Sequence, residues 1–501
     1  MRRTTMMIVL IAVMIPSTAT ADDLSVDEAQ HALRRGVEYF RDHVSIEGGY
    51  LWRYAADFSE REGEVPASAT TAWVQPPGTP SVGAAYLDVY ELTGDEYYLE
   101  AARETALALV KGQLKSGGWD YRIEFAPEDR KKHAYQADKN LSDDQDKSNP
   151  DDTRDNKKKK RPPRNTTTLD DNTTQAALRF LMRIDRALGF QDQAIHESAM
   201  FALQSLLDAQ YPIGAWPQRF SAAPDPDKFP VKSASFPDQW SRTYPAIDYR
   251  SYYTFNDNTI ADMVDLMFRA AEIYDDPQYT ASAERAGDFI LLAQLPDPQP
   301  GWAQQYDAEM HPAWARKFEP PALTGAESQG VMRTLLRLYD RTGKAKYLQP
   351  IPRALAYYQS GVLPDGRLAR FYEMGTNTPL YFTKDYQLTY SDDDMPTHYG
   401  FKTRNHLDAI AKEFDKRKNS EHPGSAEPLT ELNKAPRLSA KLKQRAAAVV
   451  DAQQENGAWI EPARQRNRSH IPANAPCINC QTFSDNIVTL ARYIAASKNS
   501  R

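Results

Sequence analysis

The chain of 501 residues contains only two cysteines, Cys477 and Cys480. Two cysteines alone cannot form a structural zinc site, because such a site has four protein ligands. A haem attachment motif is absent because Gln481, and not histidine, follows the second cysteine. In an exported protein these two thiols are expected to form a local disulfide. The cysteines therefore predict neither a zinc centre nor a haem centre.

Beyond its first residues, the chain also lacks the run of about 18 apolar residues that a membrane-spanning helix needs. The start of the chain has the pattern of a signal peptide. Arg2 and Arg3 are basic, an apolar stretch runs from Met6 to Ile15, and Ala19-Thr20-Ala21 offers small residues for cleavage. We predict a signal peptide at residues 1–21, a secreted or periplasmic location, and no membrane contact in the mature protein. An uncleaved anchor is the alternative.

A strong charge imbalance is missing as well, since the formal net charge is -7. Nucleic-acid-binding domains are basic, so nucleic acid is not an expected partner. An anionic substrate stays possible because a bound cation reverses the local field. Aromatic residues are abundant, with 27 Tyr and 8 Trp. In an exported protein this abundance often accompanies sugar binding, although Tyr and Trp also fill ordinary cores.

Strand-like alternation is scarce, and the chain instead repeats a unit of helix, tight turn, helix and a loop rich in Gly and Trp. Within the helices, apolar residues recur at spacings of three and four, which marks a buried face. Helix pairs of this kind bury their apolar faces only against neighbouring pairs. We therefore predict an all-α fold, a toroid if the pairs close into a ring and a solenoid if they do not. The loops that close the units are Gly117-Gly118-Trp119, Gly214-Ala215-Trp216, Gly301-Trp302, Asp365-Gly366-Arg367 and Asn456-Gly457-Ala458-Trp459.

Two polar stretches interrupt the repeat. Residues 126–164 carry both signs of charge and almost no apolar residues, so we predict a disordered insertion there. A nucleic-acid tail is the alternative for its lysine run, but the adjoining acids neutralise that run. Residues 413–436 are predicted as a polar linker. The linker divides a toroid at 22–412 from a C-terminal helical unit at 437–501, which we expect to pack on the toroid.

Two short acidic loops of nearly the same composition each open an amphipathic helix. The first is Thr168-Leu169-Asp170-Asp171-Asn172-Thr173-Thr174, and the second is Thr254-Phe255-Asn256-Asp257-Asn258-Thr259. A cluster of Asx and Thr at a helix start is often only a cap for free backbone N–H groups. Two such clusters in one exported chain favour a second interpretation, in which they form two walls of a site for a hard cation.

Several segments occur in the order typical of one family. They are Leu169–Thr174, Gly214–Gln218, Thr254–Asn258, Trp302–Asp307, Glu327-Ser328 and Ala369–Glu373. Together they resemble the pectate lyases of polysaccharide lyase family 10, the pectic acid lyase family. The resemblance covers roughly residues 48–400 apart from the charged insertion. It implies an incomplete (α/α) toroid, Ca²⁺, and β-elimination on α-1,4-polygalacturonate (pectate) or a related uronate polymer. A monomer is expected.

The resemblance places the metal ligands on the two acidic loops. Asp171 and Asn172 fall on the first loop, and Asp257 falls on the second. Their carboxylate and amide oxygens are the ligand types that Ca²⁺ prefers. We therefore predict these three residues as the metal ligands, with helix capping alone as the alternative.

The resemblance implies an arginine as the catalytic base, and here the chain departs from the family. Thr378 and Lys384 stand where the family usually carries arginines. A lysine reaches a useful pKa when it is desolvated or lies near another cation. We therefore predict Lys384 as the base, with a solvated surface lysine as the alternative. Arg370 is the next candidate, and it could equally bind a carboxylate or form a structural ion pair.

The predicted substrate-binding residues lie on or near the same segments. Trp216 and Tyr372 are predicted to stack on sugar faces, although packing in the core is an equal alternative for the tryptophan. Glu327 is predicted to brace the site. The full set is Trp216, Gln218, Arg219, Asn258, Tyr372 and Glu327.

Three other functions stay open on the sequence alone. One is an inverting glycoside hydrolase on a similar helical ring, with one carboxyl group as acid and another as base. Another is a glycan-binding pseudo-lyase that has lost the base. The last is a purely structural exported protein, which would leave the ordered set of motifs unexplained.

Overall fold

The computed structural model describes residues 24–138, 162–419 and 436–499, so the predicted signal peptide lies outside the described residues. The helices are α1 Val26–Tyr39, α2 Thr79–Thr93, α3 Glu96–Gly112, α4 Pro127–Arg130, α5 Thr173–Ala187, α6 Gln193–Asp208, α7 Thr259–Tyr274, α8 Pro277–Leu292, α9 Glu327–Thr342, α10 Ile351–Ser360, α11 Leu407–Lys418, α12 Ala440–Asp451 and α13 Cys480–Lys498. None of these helices is both long and apolar enough to cross a bilayer.

The strands are short and lie in the loops between the helices. They are β1 Arg53–Ala55, β2 Arg61–Glu62, β3 Thr71–Trp73, β4 Arg122–Glu124, β5 Thr167–Thr168, β6 Arg219–Phe220, β7 Tyr253–Thr254, β8 Gln305–Tyr306, β9 Leu323–Thr324, β10 Leu368–Ala369, β11 Phe371–Tyr372, β12 Pro379–Phe382, β13 Leu388–Thr389, β14 Lys402–Thr403, β15 Glu461–Pro462 and β16 Pro476–Asn479.

Local capping groups fix several helix ends. Ser25 forms a capping box with Glu28 at the start of α1. Gly94, with a φ of 71°, ends α2, and the Asp95 carboxylate then accepts from the backbone N–H of Tyr97 at the start of α3. A left-handed glycine followed by an acceptor side chain ends one helix and begins the next within two residues. The tight turn of the repeated unit therefore follows from local chemistry.

The helices form a ring of two layers. The inner helices follow the order α13, α2, α5, α7, α9 and α11, each packing against the next. The outer helices pack on them: α1 and α12 on α13, α3 on α2, α6 on α5, α8 on α7 and α10 on α11. The first and last described helices meet in this ring, because α1 packs on α13. The predicted (α/α) toroid is confirmed.

A repeated hydrogen bond fixes each Gly–Trp loop. The indole N–H of the tryptophan donates to a carbonyl oxygen near the end of the preceding outer helix. The pairs are Trp119 with Leu109 at 2.8 Å, Trp216 with Leu206 at 2.8 Å, Trp302 with Ile290 at 2.9 Å and Trp459 with Val449 at 2.9 Å. All four tryptophans are buried. A buried indole needs such a partner, so these tryptophans fill the core of the ring.

A glutamine after each of these outer helices links the loop to the next outer helix. Its side-chain N–H groups donate to one carbonyl in the loop and to one in, or directly before, the neighbouring outer helix. The links run from Gln113 to Gly117 and Ser198, from Gln210 to Gly214 and Ser282, from Gln294 to Pro300 and Pro350, and from Gln453 to Gly457 and Ala32. The last link joins the loop after α12 to α1.

Gly214 is expected to be far less tolerant of a side chain than Gly189. Both have a positive φ, 100° and 63°, but a Cβ on Gly214 would lie 2.0 Å from the Arg285 carbonyl oxygen, whereas nothing lies within 4 Å at Gly189. We expect Gly189→Ala to lower the free energy of unfolding by about 1 kcal/mol and Gly214→Ala by at least about 3 kcal/mol. Chemical denaturation of both variants measures this difference. Equal losses would contradict the packing of this loop on α8.

The local disulfide expected from the sequence is not present, because Cys477 and Cys480 are free, buried thiols. Cys477 lies in a small apolar cluster with Ala463 and Ile471, whereas Cys480 lies in the main core. Burial raises the pKa of Cys477 to about 11 and the pKa of Cys480 even further. The two side chains therefore act as small apolar groups on two sides of the β16–α13 junction.

The predicted charged insertion begins as ordered chain. Residues 126–138 include α4, and the backbone N–H of Lys115 donates to the Ala134 carbonyl oxygen at 2.9 Å. Residues 139–161 lie outside the described residues. The predicted linker is also partly helical, because α11 extends to Lys418, and residues 420–435 lie outside the described residues.

A small sheet covers the loop end of the ring near the start of α9. Its strands run antiparallel in the order β13-β12-β11-β9. The sheet has its own apolar core, which contains Trp314, Phe318, Phe371, Phe382 and Phe401. This layer holds two arginines, Arg316 and Arg370, beside the ends of the inner helices.

Candidate active site

The two acidic loops adopt the same unusual backbone conformation. Asp171 and Asn172 have φ values of 51° and 57°, and Asp257 and Asn258 have φ values of 48° and 59°. Asp and Asn tolerate this left-handed region better than other residues with a side chain. The repeated Asp-Asn pair therefore produces the same turn twice, at the start of α5 and at the start of α7.

A threonine holds each of these loops to the strand before it. Its hydroxyl oxygen accepts from the backbone N–H two residues further along. The pairs are Thr168 with Asp170 at 3.3 Å, Thr254 with Asn256 at 3.0 Å and Thr324 with Ala326 at 3.3 Å. The third pair precedes α9, and Glu327 follows its threonine by three residues as Asp171 and Asp257 do, although Glu327 already belongs to the helix and has no left-handed backbone.

The two acidic loops meet at the end of the ring. Carboxylate oxygens of Asp170, Asp171 and Asp257 all lie within 4.8 Å of one another. Ligands of one calcium ion lie at 2.3–2.6 Å from the ion, so oxygens at about this separation can share it. The structure thus brings the predicted ligands Asp171 and Asp257 together and adds Asp170. The predicted ligand Asn172 lies beside them, and its amide oxygen accepts from Arg179 at 3.5 Å.

The acidic cluster concentrates negative charge. Burial, with the neighbouring Asp170 and Glu64 carboxylates, raises the pKa of Asp171 to about 6. Burial and the carboxylates of Asp170 and Asp171 also raise the pKa of Asp257, although this residue still reaches solvent. Carboxylates with raised pKa values repel one another when ionised. A bound cation would relieve that repulsion, so the donor set suits a divalent metal ion.

Three side chains orient Asp170 within the cluster. The Tyr121 hydroxyl donates to one carboxylate oxygen at 2.9 Å, and the Gln218 side chain donates to the other at 3.1 Å. Arg219 Nη2 lies 3.3 Å from the Tyr121 hydroxyl oxygen and 3.5 Å from Asp170. The sequence predicts Gln218 and Arg219 as substrate-binding residues. In the structure both contact the Asp170 carboxylate.

A pair of arginines forms the wall beside the acidic cluster. The guanidinium carbon of Arg370 lies 4.5 Å from the ring centroid of Tyr399, and that of Arg316 lies 5.5 Å from it. Both arginines interact electrostatically with Asp257. The predicted candidate Arg370 is thus close to the acidic cluster, and it forms an ion pair with Glu327.

Arg316 is a site residue that the sequence analysis missed. Its Nε and Nη2 donate to the buried Glu319 carboxylate at 2.8 and 2.5 Å. Burial acts to lower the pKa of Arg316, but the Glu319 carboxylate outweighs burial and raises it. Nη1 makes no hydrogen bond within the described part of the chain. An Arg-x-x-Glu sequence, Arg316 to Glu319, lies between the family segments Trp302–Asp307 and Glu327-Ser328. This spacing of an arginine and a carboxylate could have identified the residue.

Lys384 lies in a different environment. Its side chain is exposed, and Nζ lies 2.8 Å from the Asp394 carboxylate. The hydrogen bond to Asp394 raises the pKa of Lys384. The surroundings therefore supply neither the desolvation nor the nearby cation that would lower the pKa of a catalytic lysine.

The remaining predicted substrate-binding residues are divided between the core and the loops. Trp216 is fully buried, and the Tyr372 hydroxyl donates to the Gly361 carbonyl oxygen at 2.7 Å inside the core. The structure therefore places neither ring where a sugar could stack on it. Asn258 is exposed at the second acidic loop, and Glu327 pairs with Arg370.

Comparisons with known proteins support the resemblance. The family model described as pectic acid lyase matches residues 135–367, which confirms the predicted resemblance and indicates a polysaccharide lyase enzyme. A search of curated proteins found no match.

Several solved structures resemble the chain. A variant of a family 10 polysaccharide lyase from Cellvibrio cellulosa in complex with trigalacturonic acid is 19% identical, with a TM-score of 0.43, covering 67% of this chain and 98% of that one. A D-mannose isomerase is 13% identical, with a TM-score of 0.42, covering 95% and 98%. The cellobiose 2-epimerase of Bacillus thermoamylovorans is 11% identical, with a TM-score of 0.42, covering 94% and 98%.

Proposed function

We propose that this polysaccharide lyase, whose residues 135–367 match the pectic acid lyase family model, cleaves α-1,4-polygalacturonate by β-elimination with the help of Ca²⁺. The observation that carries the proposal is the meeting of Asp170, Asp171 and Asp257 beside the two arginines Arg316 and Arg370. Three acidic side chains suit a hard cation, and two guanidinium groups suit an anionic sugar.

Asp170, Asp171 and Asp257 would hold the calcium ion, with Asn172 as a further oxygen donor. The ion would supply Lewis-acid neutralisation of the uronate carboxylate, which makes the proton at C5 more acidic. Tyr121, Gln218 and Arg219 would keep Asp170 oriented toward the ion, since they hold both of its carboxylate oxygens. At many metal sites, residues that hydrogen-bond to a metal ligand fix its orientation in this way.

We assign Arg316 as the base in place of Lys384. β-Elimination removes the proton at C5, forms a double bond between C4 and C5, and breaks the bond from C4 to the glycosidic oxygen, which takes up a proton. Arg316 must lose a proton before it can act. Glu319 fixes its orientation and favours the charged form, whereas the positive charge of Arg370 across the Tyr399 ring favours the neutral form. Arg370 would bind the uronate carboxylate.

The arrangement fits elimination better than inverting hydrolysis. Inverting glycosidases keep their two carboxyl groups about 6.5–9.5 Å apart so that a water molecule fits between them and the sugar. Here the carboxylate oxygens lie within 4.8 Å of one another. A shared cation explains this close approach, and an acid–base pair of an inverting enzyme does not.

The ultraviolet absorbance of the unsaturated product tests the proposed reaction. Purified protein mixed with polygalacturonate and calcium should produce that absorbance, and EDTA should abolish it. Hydrolysis would produce reducing ends without this absorbance, and binding alone would produce neither. Reducing ends without absorbance would overturn the proposal.

Lys384→Ala is expected to keep nearly all of the lyase activity, within about twofold of the wild type, because an exposed and ion-paired lysine contributes little. Initial rates on polygalacturonate measure this. A loss of about 10²-fold or more, the size expected for a general base, would restore Lys384 as the base and remove Arg316 from that role.

We also propose that the protein is exported, that its signal peptide is cleaved after residue 21, and that the mature protein is a monomer. The basic and apolar start of the chain supports export. Sequencing the N-terminus of protein recovered from the culture medium or periplasm tests the cleavage, and a mature protein that retains Met6–Ile15 would contradict it.

A further inference from the structure

Tyr390 presents an aromatic face to solvent and yet is firmly held. It is 50% exposed, and Phe190 and Val231 are the other large hydrophobic residues exposed in the described ranges. Its hydroxyl donates to the Glu373 carboxylate at 2.9 Å and accepts from Arg242 Nη2 at 2.8 Å. A tyrosine fixed in this way loses little conformational freedom when a ligand covers its ring.

Glu373 is the buried anchor of this arrangement. The residue is only 5% exposed, and it accepts a hydrogen bond from Thr376 at 2.7 Å besides binding Tyr390 and Arg242. A buried carboxylate is costly unless it is paired, so its partners are held in place. Glu373 therefore fixes both Arg242 and Tyr390 at the surface.

Arg242 lies close to two aromatic rings. Its guanidinium carbon is 5.1 Å from the ring centroid of Tyr390 and 5.4 Å from that of Trp240. The side chain is 47% exposed, and a guanidinium has N–H groups beyond those that bind Glu373 and Tyr390. Guanidinium groups bind carboxylates, and aromatic faces pack against apolar surfaces such as the C–H face of a sugar ring. The combination fits a uronic acid residue.

This platform of Trp240, Arg242 and Tyr390 is joined to the active site by two short connections. Glu373 follows Arg370 by three residues, which span at most about 11 Å of extended chain. On the other connection, Trp314, two residues before Arg316, donates its indole N–H to the Ser241 carbonyl oxygen at 2.8 Å. The platform is thus within the length of a short oligosaccharide from the two arginines.

We propose that Trp240, Arg242 and Tyr390 form a remote subsite that binds a uronic acid residue of the polymer outside the cleavage position. This inference rests on the proposed function, because it assigns a second binding position to the same polymer. Binding energy from such a remote residue positions the reacting sugar without touching it. The subsite would favour long chains over short ones.

The test compares three variants: Tyr390→Ala, Tyr390→Phe and the control Phe190→Ala. Phe190 is an exposed aromatic residue in the turn between α5 and α6 and plays no part in the site. Titration calorimetry with long oligogalacturonates gives the Kd. The KM for polygalacturonate and for trigalacturonate gives the dependence on chain length.

We expect Tyr390→Ala to raise the Kd for long chains about fivefold, and to raise the KM for the polymer more than the KM for trigalacturonate. Tyr390→Phe keeps the ring face and should stay within about twofold of the wild type. If Tyr390→Phe weakens binding as much as Tyr390→Ala does, the ring face contributes nothing and the hydroxyl has only a structural role. That result would overturn the subsite.

Wild-type affinity in Tyr390→Ala would also overturn the subsite while leaving the proposed function intact. A wild-type protein that neither binds nor cleaves polygalacturonate would overturn the proposed function itself, and the assignment of a uronate to this platform with it. The two failures are therefore distinguishable.

Discussion

Asp257→Asn is expected to abolish the stabilisation of the protein by calcium. The wild type should gain about 2.7 kcal/mol at a calcium concentration a hundredfold above Kd, seen as a rise in Tm. The asparagine variant removes one of three carboxylates that meet at the loop end, so it should gain little. Lyase activity should fall by at least about 10²-fold, because charge stabilisation of the transition state is lost.

The same variant should be at least as stable as the wild type in calcium-free buffer. Burial and the neighbouring carboxylates raise the pKa of Asp257, so its ionised form costs stability when no cation is bound. Asp208→Asn, at an exposed carboxylate near the end of α6, is the matched control and should keep the full gain in Tm. If Asp257→Asn keeps the calcium-dependent gain, the metal site lies elsewhere.

Arg316→Ala is expected to reduce kcat about 10²- to 10⁴-fold, the range for loss of a general base. The calcium-dependent rise in Tm should remain, because Arg316 is not a ligand. Arg316→Lys should recover part of the activity with an optimum at lower pH, since lysine loses its proton more readily than arginine. A merely structural role would not shift the pH optimum.

Arg417→Ala is the matched control for Arg316→Ala. Arg417 makes the same two-nitrogen contact with a carboxylate, donating to Asp340 at 2.8 and 2.7 Å, but this ion pair joins α11 to α9 away from the acidic cluster. Its loss should lower stability less than the loss of Arg316, because Asp340 is partly exposed whereas Glu319 is buried, and should leave kcat within about threefold of the wild type. Should Arg316→Ala keep kcat within about tenfold, the assignment of this arginine as the base is wrong.

Much of the fold could be predicted from local sequence. The turn at Gly94-Asp95 and the buried faces of the helices depend on residues a few positions apart, and the predicted helix pairs are present. The repeated Thr-x-Asx-Asp-Asn sequence likewise produces the same left-handed turn at Asp171 and Asp257. These features depend on backbone sterics and on hydrogen bonds within one turn, which no tertiary contact needs to supply.

The direction in which individual side chains point could not be predicted in the same way. Trp216 looked suitable for a sugar, but its indole N–H donates to Leu206 in the core. Lys384 looked suitable as a base, but it is exposed and paired with Asp394. A side chain of the same type serves either purpose, and only its surroundings decide which.

The sequence by itself therefore determined the helix pairs, the turns that join them and the two acidic loops, because each is specified by neighbours along the chain. Only the tertiary structure decided that Asp170 joins Asp171 and Asp257, and that Arg316 and Arg370 share the ring of Tyr399. The first acidic loop is distant in sequence from Asp257, and Arg316 is distant from Arg370, so their approach depends on how successive helix pairs rotate around the ring. That rotation is set by packing across the whole molecule, which no short stretch of sequence encodes.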